Sequence, residues 1–220
     1  MTAKALCVGL NKFAHLPQAS WLNGCVNDAE DMAAFLGKRP EFRRGDVTVL
    51  KDSGATKAKV MAALAKLVDD DVDHIVFTFS SHGTQVPDKN GDEKVDRVDE
   101  AFACHDIKQS GRDWDRKTVI VDDELKTLFE KVRKGVLVEV VLDTCHSGSG
   151  LKSLDLLQGR RPRFLPPPTP LSIRRMEAKS DPKGLQDEVK KIPTAIRPVL
   201  FAACRADQLS SDAPFGTSWS

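Results

Sequence analysis

The 220-residue chain has no tyrosine and only 6% aromatic residues, so a surface that stacks nucleic-acid bases is not expected. Net charge is nearly absent too. Its 33 basic and 32 acidic residues leave +1, which gives no overall drive toward nucleic acid or an anionic membrane. Long apolar runs are missing: the best, Val136 to Leu142, is broken by Glu139 and falls far short of a membrane span. The apolar stretch near Met1 is too short for a secretory leader and no small-residue cleavage site follows it. The five cysteines include no CxxC pair, which argues against structural zinc, and their odd count argues against a disulfide framework. No glycine-rich loop follows the first apolar run, so a nucleotide-binding domain has little support. These absences together predict a cytoplasmic protein with no nucleic-acid or membrane partner.

What is present is an alternation of strand and helix patterns. Apolar runs at Lys4 to Leu10, Asp46 to Leu50, Asp73 to Ser80, Val136 to Leu142 and Pro198 to Ala203 read as strands. Helical spacing runs from Asn27 or Asp28 to Lys38, from a Thr56 cap to Val68, and from Asp122 to Arg133. Such alternation predicts an α/β fold with a mostly parallel sheet covered on both faces. Function in such sheets collects at the carboxyl ends of the strands. Two segments interrupt the rhythm. Residues 84 to 116 are polar and acidic around a short apolar insert, Ala101 to Cys104. Residues 151 to 193 are rich in proline and basic side chains, read as a mobile tether, with a short helix near Leu185 to Lys190. Cys7 and Cys204 lie in apolar runs and read as core residues.

Two strand ends carry reactive side chains. The third strand runs into Ser80-Ser81-His82-Gly83, and the fourth into Asp143-Thr144-Cys145-His146-Ser147-Gly148. If these strands are neighbours, His82 and Cys145 project from one edge of the sheet, as a nucleophile and its base require. An adjacent imidazole activates a thiol, and the backbone N–H groups of Gly83 and Cys145 could form an oxyanion hole. The plainer alternative is a buried structural thiol and a loop histidine. The Cys145-His146 pair lacks the second pair that a zinc site would need.

The wider pattern resembles the metacaspases, caspase-like cysteine peptidases of family C14, and more narrowly those of bacterial type. Beside the His-Gly and Asp-Thr-Cys-His-Ser-Gly turns, Gly24-Cys25-Val26-Asn27-Asp28-Ala29 is similar to the family's GCxNDA segment. The run from Asp92 to Glu100 resembles its acidic DExDGxDE loop, Asp122-Asp123-Glu124-Leu125 its DDEL motif, and Cys204-Arg205-Ala206-Asp207-Gln208 its CRxDQ. The resemblance implies a caspase-hemoglobinase-like three-layer sandwich. It divides the chain into a large-subunit-like region at 1–150, a linker at 151–193, and the start of a small-subunit-like region at 194–220. It implies Cys145 as nucleophile, His82 as its partner, and a specificity pocket carried by Cys25, Asp28, Ser80 and Asp143. Two carboxylates at the bottom of a pocket call for a cation, so the expected substrates are proteins or peptides cut after Arg or Lys.

The resemblance also implies calcium, held by Asp96 or Asp99 with Asp122 and Asp123. The chain departs from the family pattern here. Asp96 is followed by Arg97 instead of glycine, and the seventh residue after Cys145 is Lys152, not an acid. The acidic loop is also not an EF-hand, because Glu93 stands where that loop needs glycine. Basic residues in the linker, Arg160, Arg161, Arg163, Arg174, Arg175, Lys190 and Lys191, suit the expected specificity and predict self-processing there. A monomer is the family expectation. The competing expectation is a catalytically incompetent caspase-like interaction module or a truncated fragment, because the chain stops soon after its fifth strand.

Overall fold

Along β1 (Ala3–Gly9) successive side chains enter opposite cores. Ala3, Ala5 and Cys7 join one buried cluster, while Leu6 and Val8 join the larger one. That two-sided burial makes β1 a central strand. The computed structural model describes residues 1–87, 98–145, 161–177, 199–202, 211–212, 214–215 and 218–219. The remaining elements, in chain order, are α1 (Cys25–Leu36), β2 (Val47–Lys51), α2 (Lys57–Asp69), β3 (His74–Ser80), β4 (Gly83–Pro87) and β5 (Val98–Ala103). Then follow β6 (Gln109–Ser110), β7 (Asp113–Trp114), β8 (Val119–Val121), α3 (Asp122–Phe129), β9 (Leu137–Asp143), β10 (Arg161–Pro162), α4 (Pro170–Glu177), β11 (Val199–Ala202), β12 (Ser211–Asp212), β13 (Pro214–Phe215) and β14 (Ser218–Trp219).

Five strands form one sheet in the order β11-β9-β3-β1-β2, and every pairing in it is parallel. Helix α1 packs Ala29 and Leu36 on the Ala5/Cys7 face. Helices α2 and α3 put Val60, Leu64, Leu67, Leu125 and Phe129 on the Leu6/Val8 face. The result is the expected three-layer α/β sandwich. Among the described residues no helix is long and apolar enough to cross a membrane.

Local chemistry sets the helix ends. The Thr56 hydroxyl accepts from the Lys59 N–H at 3.4 Å and starts α2 as anticipated. Three acids in the first turn of α3 suit its positive end, and Glu124 accepts from the Val121 N–H at 3.0 Å. Helix α3 stops at Phe129, not Arg133, because the chain tightens into three-residue bonds from Lys131 to Leu128 and from Val132 to Phe129. Those turns still bury Val132.

Two stretches differ from expectation. The polar segment after β3 supplies a second, antiparallel sheet, β4-β5-β8, which buries Val86, Phe102 and Ile120. Its apolar residues are few and scattered in sequence, so only the ladder assembles them. Nor is the whole linker a loose tether. Arg161 to Leu165 lies across the carboxyl ends of β3 and β9, bonded to Gly83 and Cys145, and α4 follows with Pro170 at its first position. The helix anticipated near Leu185 lies outside the described residues.

Gly9 ends β1 where α1 crosses it. A β-carbon there would lie 2.2 Å from the Cys25 carbonyl oxygen and 2.9 Å from the Ala29 side chain. Neither the strand nor the first turn of α1 can yield cheaply. Gly9→Ala is therefore expected to destabilise the fold by about 3 kcal/mol, measured by urea unfolding. An unchanged midpoint would show that α1 shifts freely.

Candidate active site

The parallel register of β3 and β9 pairs Ser80 with Asp143, so both strands end at the same edge. His82 and Cys145 follow within two residues of those ends, as the sequence reading requires. The turn carrying His82 is pinned on both sides. The Ser81 hydroxyl donates to the Ala103 carbonyl at 2.9 Å, and the Ala103 N–H donates to the His82 carbonyl at 2.9 Å.

The imidazole is buried at 4% exposure, with the Phe13 ring 5.4 Å from its own. Its Nε2 lies 2.7 Å from the Ser20 carbonyl oxygen. A carbonyl can only accept, so Nε2 carries the proton and Nδ1 holds the lone pair. Nδ1 is buried and has no hydrogen-bond partner among the described residues. Burial pushes His82 down to about 4 from the usual 6.5, against the pull of the Ser20 carbonyl and helped by the nearby Arg163 cation. The resting imidazole is thus neutral and able to accept a proton at Nδ1.

This burial has a consequence for stability. The unfolded chain binds the His82 proton more tightly than the folded one. The stability contributed is therefore complete above about pH 6.5 and is lost as pH falls through about 4. The difference in unfolding free energy between wild type and His82→Gln should shrink by about 3 kcal/mol over that range. Parallel curves for the two proteins would exclude a protonation change at this side chain.

The pocket residues gather around a side chain that sequence reasoning placed in the linker. Arg163 is 1% exposed. Its Nη1 donates to Ser80 Oγ at 2.7 Å and also to Asp143. Its Nη2 donates to Asp28 Oδ2 at 2.7 Å and to Asp212 Oδ1 at 3.3 Å. Ser80 Oγ also donates to Asp28 Oδ2 at 2.7 Å. Burial works against the charge on Arg163, but the surrounding carboxylates outweigh it, so the group stays cationic. Cys25, fully buried at the start of α1, completes the wall; desolvation pushes its thiol far above the usual range, so it remains protonated.

The Arg163 carbonyl is held as well. Its oxygen accepts from the Gly83 N–H at 2.9 Å and from the Cys145 N–H at 3.1 Å, the two donors anticipated for an oxyanion hole. On one side of Arg163, β10 pairs antiparallel with β12, Arg161 opposite Asp212. On the other side, Phe164 bridges Gly83 in parallel fashion. The segment lies across the strand ends as an extended peptide with its Arg163 carbonyl at the Cys145 backbone.

Three participants had no usable sequence signal. Ser20 acts through a backbone carbonyl. Asp212 is a solitary acid, fully buried, that also accepts from the Asn23 and Gly24 N–H groups at 2.6 and 2.8 Å. Arg163 was one of ten basic linker residues, with nothing to single it out.

The anticipated metal ligands are only partly assembled. Asp99, 2% exposed, accepts from Arg116 Nη1 at 2.5 Å, so a guanidinium already neutralises it. Asp122 is buried, and desolvation, then Glu100, Asp123 and Asp99, push its carboxyl up to about 8. Among the described residues no three acidic, histidine or cysteine side chains come together in a group that could hold a metal. Asp96 lies outside the described residues, so the described donors alone do not make a calcium site.

Comparison with known proteins agrees with this geometry. The profile of the metacaspase, peptidase C14 domain family matches residues 3–154. Metacaspase-1A of Aspergillus clavatus is 37% identical over 157 residues, covering 67% of this chain and 34% of its own. Metacaspase-1A of Aspergillus fumigatus matches to the same extent, covering 35% of its length. The chain thus spans about a third of the length of these curated relatives. The crystal structure of protein GSU0716 from Geobacter sulfurreducens is similar at a TM-score of 0.64 and 31% identity, covering 96% of this chain and 75% of that one. With His82 and Cys145 at one sheet edge and the family profile spanning the region that holds them, this chain belongs to the metacaspase family of peptidase C14 domains.

Proposed function

We propose that this chain is a cysteine endopeptidase that cleaves after Arg, and less readily after Lys, and that it processes itself at the Arg163–Phe164 bond. One observation carries the reading: the Arg163 carbonyl oxygen sits between the Gly83 and Cys145 N–H groups while its guanidinium is enclosed by Asp28, Asp143 and Asp212. The two-pronged contact through Nη1 and Nη2 favours Arg over the single ammonium of Lys.

The chemistry follows from the atoms in place. The Cys145 thiol gives its proton to His82 Nδ1, and the thiolate attacks the Arg163 carbonyl carbon. Negative charge collects on the oxygen already held by the two N–H groups. The imidazolium then returns the proton to the Phe164 nitrogen, the amine leaves, and water hydrolyses the thioester with His82 as base. The Ser20 carbonyl keeps the ring in the required tautomer throughout. Incubation of the purified chain should yield fragments ending at Arg163 and beginning at Phe164 by intact mass. A chain that stays whole in every condition would instead favour the catalytically incompetent module.

Calcium activation is a further part of the reading. It is supported by the crowding of carboxylates at Asp122, whose mutual repulsion a divalent cation would relieve. Asp122 and Asp123, with Asp96, are the residues that would hold it. Added calcium is expected to raise the melting temperature of wild type by several degrees, and Asp123→Asn should reduce that shift to less than half. Equal shifts in both proteins would place the cation elsewhere. A cytoplasmic location is supported by Cys7, Cys25, Cys104 and Cys145, none of which forms a disulfide. A monomer acting on protein or peptide substrates completes the proposal.

A further inference from the structure

Beyond Arg163 the chain does not leave the cleft. The Leu165 N–H donates to the Gly83 carbonyl at 2.9 Å, and the Thr84 hydroxyl donates to the Leu165 carbonyl at 2.6 Å. Thr84 is fully buried, so this hydroxyl is a built donor and not a chance surface contact. The Leu165 side chain is 7% exposed and belongs to the main hydrophobic core. Gly83 therefore uses both backbone groups on one extended peptide. Its N–H holds the carbonyl before the scissile bond, and its C=O holds the N–H of the second residue after it.

We propose that Gly83, Thr84 and the adjoining core form a subsite on the leaving-group side, which selects a large aliphatic residue at the second position after the cleaved bond. The inference rests on reading Arg163 as the cleaved residue. Its logic is that of strand addition: main-chain bonds fix register, and a buried side chain supplies selectivity. A charged side chain there would be desolvated without a partner, and glycine would leave apolar surface unfilled.

Internally quenched peptides of sequence Arg-Pro-Arg-Xaa-Zaa-Pro-Pro, with Xaa fixed as Phe and Zaa varied, test this on the self-processed wild-type protein. Ratios of kcat/KM between two peptides are unaffected by a common competitor, so product segments left in the cleft do not distort the comparison. Leu and Met at Zaa should react within about threefold of each other. Gly should fall about 10-fold and Asp about 100-fold below Leu. N-methyl-leucine, which cannot donate to the Gly83 carbonyl, should fall about 10-fold. In the intact chain, Leu165→Met should self-cleave near the wild-type rate and Leu165→Asp about 100-fold more slowly. Equal kcat/KM across the Zaa series, with cleavage still after Arg, overturns the subsite and leaves the Arg reading standing. Cleavage that persists when the central Arg is replaced by Ala, or no cleavage of any Arg peptide, overturns the Arg reading and the subsite with it.

Discussion

Cys145→Ala is expected to remain whole at Arg163–Phe164 under conditions that cut wild type to completion, with peptidase activity reduced by about 10⁴-fold or more. No other described side chain can take over. Cys25 lies by the same pocket, but burial holds its thiol protonated and it lines the wall beside the guanidinium, not the carbonyl. Cys145→Ser should fare little better. A buried imidazole whose basicity has been lowered accepts a proton from a thiol far more readily than from an alcohol. Both variants keep the small volume and buried setting of the site, so the fold and the docked segment should survive. Intact mass over time and turnover of a fluorogenic Arg peptide read the result together. Cleavage of Cys145→Ala at the wild-type rate would exclude Cys145 as nucleophile.

The second large effect is expected at Asp28. Its carboxylate accepts from both Arg163 Nη2 and Ser80 Oγ, each at 2.7 Å. Asp28→Asn removes one charge of a compact cluster while keeping the shape. Breaking one partner of a mostly buried ion pair costs several kcal/mol, so kcat/KM for Arg peptides should fall about 10²-fold. Because this ion pair is also part of the folded intact chain, Asp28→Asn should lower stability as well, by up to several kcal/mol, read separately by urea unfolding. Asp143→Asn should show a comparable loss, and the double variant less than the product, because both carboxylates share one guanidinium. Peptides ending in Arg, Lys, Asp and Asn distinguish the outcomes. Undiminished kcat/KM for Arg in Asp28→Asn would mean that the pocket does not read charge.

The two variants probe features of different legibility. Cys145 and His82 were readable as candidate nucleophile and base because each follows a strongly apolar run and stands in a turn of small residues. Parallel pairing of β3 and β9 needed only one assumption, that these strands are neighbours, and the register of Ser80 with Asp143 bears it out. The pocket residues were legible through the family resemblance, and the structure brings Cys25, Asp28, Ser80 and Asp143 to one place. Asp212 was not legible. A single acid in a polar stretch carries no periodicity, and its burial against the Asn23 and Gly24 N–H groups depends on contacts nearly 190 residues apart in sequence.

The second sheet shows a related limit. Gly83 to Pro87 and Val98 to Ala103 are too short and too mixed to read as strands, yet they pair residue for residue over five positions. Pairing satisfies the backbone and places Val86 and Phe102 inward. Strand propensity at such positions is a property of the partner strand more than of the residues themselves.

By itself the sequence determined the alternation of strands and helices and the small-residue turns that present His82 and Cys145. Each follows from local pattern and side-chain chemistry. Only the tertiary structure decided which linker arginine enters the pocket. Ten basic residues between 151 and 193 have the charge to do so, but among the described residues only Arg163 combines a guanidinium among three carboxylates with a carbonyl between two N–H groups and an aliphatic residue two places on. That selection is made by the register of an extended chain against Gly83 and Thr84, and register is fixed by hydrogen bonds across the fold, which no local run of residues encodes.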